Sequence, residues 1–145
     1  MSNVKLSLTR KSGKFHLEST NEDGSSVDTD GSPDIGGQGN GLRPMELLLA
    51  GLASCSAIDI VLIMEKQRQQ LEDIRIDVNA NRVKVGNHSE YSTIHMSFHF
   101  YGSIKDEKAQ RAIDLSLDEY CSVAQILKKT AKITYDFDIN DGHEG

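Results

Sequence analysis

The sequence predicts an α+β fold, with helices on one face of a mainly antiparallel sheet and one long buried central helix. Three observations predict it. Segments near both ends and in the middle of the chain alternate apolar and polar residues with the period of two of half-buried strands. The run "ELLLAGLASCSAIDIVLIM", Glu46 to Met64, is apolar around nearly its whole circumference. Such a helix is enclosed on most sides, by its own sheet or by a second subunit. The segments follow the order βββ-α-ββ-α-α-β, with no repeat, so residues 1–145 are expected to form a single domain.

Each element has its own signal. Val4, Leu6 and Leu8 alternate with Lys5, Ser7 and Thr9; after the turn signal "RKSG", Phe15 and Leu17 alternate with Lys14, His16 and Glu18. "NEDG" supplies the next turn, before a third short strand near Val27. The glycine-rich stretch "DGSPDIGGQGNG", Asp30 to Gly41, lacks the Gly-Lys-Ser/Thr ending of a P-loop and the context of a dinucleotide fingerprint. It reads as a flexible connector. Pro44 sits where a first-turn proline belongs, and the long helix it opens should end among "EKQRQQ". Ile74, Ile76, Val78 and Ala80 mark one strand, and Ile94, Met96, Phe98 and Phe100 the next. "SIKD" at Ser103 offers a capping-box-like start for a helix carrying Ala109, Ala112, Ile113, Leu117 and Tyr120. Cys121 follows, then a short helical piece, "VAQILKK", and a last strand through Ile133, Tyr135, Phe137 and Ile139.

Composition narrows the function. A formal charge of -6 argues against a nucleic-acid backbone or an anionic membrane as partner, because both demand basic patches. The stretch Leu47 to Met64 is about the minimum length of a membrane span, roughly 18 residues. Asp59 inside it would be costly in hydrocarbon, and no Lys or Arg cluster flanks its start. With no apolar leader in "MSNVKLSLTRKSG", the expectation is a soluble, cytoplasmic protein.

Two cysteines, Cys55 and Cys121, lie 66 residues apart. They are too few for a disulfide scaffold and too sparse for a structural zinc site, so no metal or cofactor is expected. Two readings stay open: a pair of inert buried thiols, or a redox couple. Asp59 falls one helical turn after Cys55, where a carboxylate raises a thiol's pKa. The expected role for Asp59 is capping, or bridging to a basic residue across an interface. Cys55 would need a cation to ionise, and Arg43, Arg10 and Lys11 are the candidates in this half of the chain. His95 and His99 share a strand face, but at roughly 13 Å along the strand they cannot share a metal. His88 and His143 show no partner in the sequence.

The stretch "PMELLLAGLASCSAID" (Pro44 to Asp59) resembles the cysteine-bearing central helix of the OsmC/Ohr family, the osmotically inducible and organic hydroperoxide resistance proteins of bacteria. "EYCSVAQIL" (Glu119 to Leu127) is similar to that family's second cysteine segment. The resemblance implies an OsmC-like fold and an intertwined homodimer with active sites at the subunit interface. It also implies a thiol peroxidase defending against organic hydroperoxides. Carried over, Cys55 would be the peroxidatic and Cys121 the resolving thiol, with Arg10 near the place of the activating arginine, Glu46 at the helix start, and an external dithiol as reductant; Arg43 stays a candidate cation by its place at the helix entrance. Three departures stand against a simple transfer. Met45 follows the proline where the peroxidases carry Glu, with Glu46 one residue late; Ser122 replaces the proline after the second cysteine; and Arg10 is aligned only approximately with the arginine of the first hairpin turn. The alternative function is a non-catalytic OsmC-like dimer that binds small apolar ligands or electrophiles, its cysteines weakly reactive or structural.

Overall fold

The computed structural model describes residues 2–141, and His143 lies outside the described residues. The chain divides after Leu48 into two compact units. The first holds an antiparallel three-stranded sheet of β1 (Leu6–Ser12), β2 (His16–Asn21) and β3 (Ser26–Thr29), in the order β1-β2-β3. The glycine-rich connector follows, and it is built rather than slack. The buried Asp30 carboxylate accepts from the N–H groups of Gly31 (2.7 Å), Gln38 (3.2 Å) and Asn40 (3.1 Å). These bonds, Asn40 first, hold its carboxyl below the ordinary range. A β-carbon on Gly37 would fall 1.7 Å from the Gly31 carbonyl oxygen, so the loop closes only around glycine there.

Helix α1 (Pro44–Lys66) opens in the first unit and continues through the second. Pro44 occupies the first helical position, as expected. Glu46 reaches back to accept the Arg43 N–H at 2.8 Å, one half of a capping box. The helix ends with Arg68 in the left-handed region, φ 60°, where the Gln69 N–H bonds the Met64 carbonyl and the Arg68 N–H that of Glu65. A residue with a β-carbon is strained there, so Arg68→Gly is expected to raise stability by about 1 kcal/mol, read by denaturant titration.

The second unit carries β4 (Gln70–Val85) and β5 (His88–Ser103), a long antiparallel hairpin closed by Gly86-Asn87 with Gly86 at φ 64°. Helix α2 (Asp106–Leu115), a π-helical turn (Ser116–Tyr120), α3 (Ser122–Leu127) and β6 (Lys132–Ile139) complete it. Three expectations need correcting. The sheet is not one but two, and β6 joins the second in parallel beside β5, giving β4-β5-β6. Ser103 does not cap α2: it ends β5, and the capping position is Lys105, without a side-chain cap. His88, without a partner in the sequence, opens β5 and pairs with Glu90 at 2.7 Å.

The core of this unit is one face of β5 (Ile94, Met96, Phe98, Phe100) with Leu52, Ile60 and Met64 of α1 and Ala109, Ala112 and Ile113 of α2, all essentially without solvent contact. The opposite face of β5 carries the histidines, as the alternation requires. His99 lies between Asp138 (2.9 Å) and Asp77 (3.1 Å), and His95 bonds Thr134 (2.7 Å). Only Leu52, Ser56, Ile60 and Met64 of α1 are buried, although the helix is long and apolar enough to cross a membrane. Ile58 is 62% exposed and Leu62 53%. The enclosure expected from its composition is therefore supplied by this chain along one stripe.

Candidate functional site

The site is made where α1 meets the π-helical turn. Cys55 is half-buried on α1, and Asp59 follows one turn later on the same side. Opposite them, Ser116 is fully buried and starts the π turn, whose closing bond runs from the Cys121 N–H to the Ser116 carbonyl at 2.7 Å. The wider turn ends the stripe of Ala109, Ala112, Ile113 and Ser116 and delivers Cys121 into the core. Such π insertions in α-helical segments recur at functional sites.

Ser116 ties the two segments together. Its hydroxyl lies 3.0 Å from Asp59 Oδ2 and 2.9 Å from the Ser56 hydroxyl. A carboxylate only accepts, so the single Ser116 proton goes to Asp59, and Ser56 donates to Ser116. Asp59 was expected to cap or to bridge to a base; within this chain its partner is a serine hydroxyl. Cys121 is fully buried at the N-cap of α3, where its Sγ accepts from the Ala124 N–H at 3.4 Å. The Sγ atoms of Cys55 and Cys121 and a carboxylate oxygen of Asp59 all lie within 4.8 Å of one another. Both cysteines are free thiols.

Burial pushes the Cys121 thiol up to about 11 from its ordinary 9.0, with Cys55 and Asp59 adding to the rise and the Ala124 N–H opposing it. Burial likewise pushes the Tyr135 phenol to about 12 from 10.0, helped by Asp114, whose Oδ1 its hydroxyl meets at 2.6 Å. Groups with folded values raised in this way stabilise the protein fully below their unfolded values and lose that contribution as pH rises through the folded ones. Stability is therefore expected to fall between pH 9.0 and about 12. Tyr135→Phe should flatten the upper part of that fall in alkaline melting curves.

Beside Asp59 opens a cavity of about 500 Å³ with apolar walls from Leu62, Ile63 and Leu115 and two cations, Lys66 and Arg111. Arg10, on exposed β1, and Arg43 and Glu46, at the start of α1, belong to the unit that ends at Leu48; both cysteines belong to the other. Sequence reasoning missed Ser116. Its signal was a small polar residue continuing the apolar stripe of α2, at the spacing where a hydrophobic residue is expected.

The family model for OsmC-like proteins matches residues 37–136 of this chain, well over half of it. The chain belongs to the OsmC family. Protein YhfA of Escherichia coli strain K12 is 35% identical over 99 residues, which is 66% of this chain and 72% of that protein. Among solved structures, a hypothetical protein from Aquifex aeolicus VF5 superposes with a TM-score of 0.78 at 27% identity, covering 97% of this chain and 100% of the other. An organic hydroperoxide resistance protein OsmC from Legionella pneumophila shares the fold, with a TM-score of 0.72 at 16% identity over 95% of this chain and 98% of its own. Within this OsmC-family chain, Ser122 occupies the first position of α3, directly after the capping Cys121.

Proposed function

We propose that this OsmC-family protein reduces organic hydroperoxides with Cys55 as peroxidatic and Cys121 as resolving thiol, as a defence against oxidative stress. The observation that carries this reading is the approach of the two sulfurs to within 4.8 Å of each other, from segments 66 residues apart. In the first step the Cys55 thiolate attacks one peroxide oxygen and the O–O bond breaks. The alkoxide leaves, takes up a proton as the alcohol, and Cys55 becomes a sulfenic acid. Cys121 then attacks that sulfur, a disulfide forms, and the hydroxyl leaves with the Cys121 proton as water. An external dithiol restores both thiols by exchange. With its thiol pushed to about 11, Cys121 is protonated at neutral pH and does not compete for the peroxide.

Arg10 or Arg43 is the proposed activating cation for Cys55. Glu46, which caps α1 through the Arg43 N–H, is proposed to act by holding that helix start. The whole chain is proposed as one OsmC-like domain in the cytoplasm, since the family match and the likeness of fold both run across the division after Leu48. A homodimer is proposed because Ile58, Val61 and Leu62 of α1 and Tyr120 present apolar surface that a second copy would cover. Ile58→Glu is expected to shift the protein toward monomer in sedimentation experiments.

The deciding assay supplies cumene or t-butyl hydroperoxide with dithiothreitol. Consumption above the dithiothreitol background, with one peroxide converting both thiols to an internal disulfide, supports the reading. Free thiols after peroxide treatment would sink it. The cavity beside Asp59 favours the second reading, a non-catalytic binder of small apolar ligands. Binding of such a ligand with no peroxide consumption would establish that one instead.

A further inference from the structure

We propose that Cys55, Asp59 and Cys121 together form an open binding site for a thiophilic divalent cation of the zinc type. Counting cysteines along the chain argued against a metal, but the fold raises the ligand count to three by bringing Asp59 within 4.8 Å of both sulfurs. Two thiolates and a carboxylate suit zinc, and three protein ligands with one open position is the arrangement of its catalytic sites rather than its structural ones. Sulfurs that share one zinc sit about 3.8 Å apart, given Zn–S bonds of about 2.3 Å. With no edge above 4.8 Å, the sulfur–sulfur edge closes to that size by about 1 Å or less, and the sulfur–oxygen edges by little more.

Two further features belong to a built site. Ser116 donates to Asp59 Oδ2, which orients the carboxylate as an outer-shell hydrogen bond does for a metal ligand. The cavity of about 500 Å³ has Asp59 in its wall. The charge balance is also favourable. On binding, each thiol releases its proton to solvent as a metal–sulfur bond forms. Two protons leave and one dication enters, so the net charge of the site does not change.

The consequence is a thiol pair with two exclusive states: metal-bound thiolates, or free thiols able to react with peroxide. Cobalt(II) is the probe, added without oxygen to the reduced protein. The expected result is a thiolate-to-cobalt charge-transfer band saturating at one ion per chain and discharged by zinc. Prior oxidation of the native protein to the internal disulfide should abolish it. Asp59→Asn should weaken binding by tenfold or more, and Ser116→Ala by about 10–100-fold, with unchanged circular dichroism. No charge-transfer band, or equal binding by the oxidised protein, would overturn the proposal without depending on any variant. Because no peroxide is present, a protein that binds cobalt but reduces no hydroperoxide refutes the proposed activity alone. A protein active on hydroperoxide with no cobalt band refutes the metal site alone.

Discussion

Cys55→Ser is expected to lower hydroperoxide consumption to the background of the dithiol alone, a loss of roughly three orders of magnitude or more. The serine hydroxyl is far less acidic than a thiol and cannot accept oxygen to form a sulfenic acid, so the first step has no substitute. Cys121→Ser is expected to behave differently. Its Cys55 still attacks, so one equivalent of alcohol should appear in a single turnover. The sulfenic acid then finds no internal thiol, and further peroxide drives it to sulfinic acid, visible by mass as two added oxygens. Equal steady-state rates for Cys121→Ser and the unaltered protein would refute the couple. The contrast between the two variants separates chemistry from folding, since both remove one sulfur from the same small region.

Phe98→Ala is expected to cost about 3–5 kcal/mol of stability. The ring has no solvent contact and lies in the middle of β5, the central strand of the second sheet. It stacks on Phe100 with centroids 6.0 Å apart and meets the edge of Tyr135 at 6.2 Å. The backbone there is paired on both sides, to Ile76 of β4 and to Phe137 of β6, so the strand cannot move inward to fill the space. A hole that cannot collapse puts the cost at the upper end of the range. Denaturant titration should show a lower midpoint with unchanged slope. A loss below about 1 kcal/mol would mean that the site relaxes freely.

What could be read along the chain was what is local. Pro44 marked the start of α1 because a first-turn proline carries its own conformational preference. The apolar positions Ile94 to Phe100 marked the buried face of β5 because alternation is a property of the strand itself. The two cysteines stood out by rarity. The bonds that assemble the site were not legible in the same way. Ser116 meets Ser56 and Asp59 across separations of 60 and 57 residues, and hydrogen bonds at that distance leave no local pattern. The π turn was hidden because its extra residue shifts a short helix by less than the uncertainty of its end. The parallel placing of β6 was hidden because alternation is the same for either direction of pairing. Ser103 misled because a capping-box pattern is weak when a strand already claims the residue. The exposure of α1 was the largest surprise. Composition registers that a helix seeks cover, without saying which molecule supplies it.

The parallel pairing of β6 has a kinetic consequence. The β4–β5 hairpin can zip outward from Gly86, its side-chain bond between Asn81 and Thr93 spanning only 12 residues. β6 must wait for α2, the π turn and α3 to form a crossover, since its contacts with β5, such as Thr134 to His95, span 39 residues. Closing the longer loop is the slower event, and Cys121 travels inside that loop. Cys55 therefore emerges from synthesis first and spends the final phase of folding without its partner. On the proposed activity, the newly made chain is expected to be more easily over-oxidised at Cys55 than the finished one.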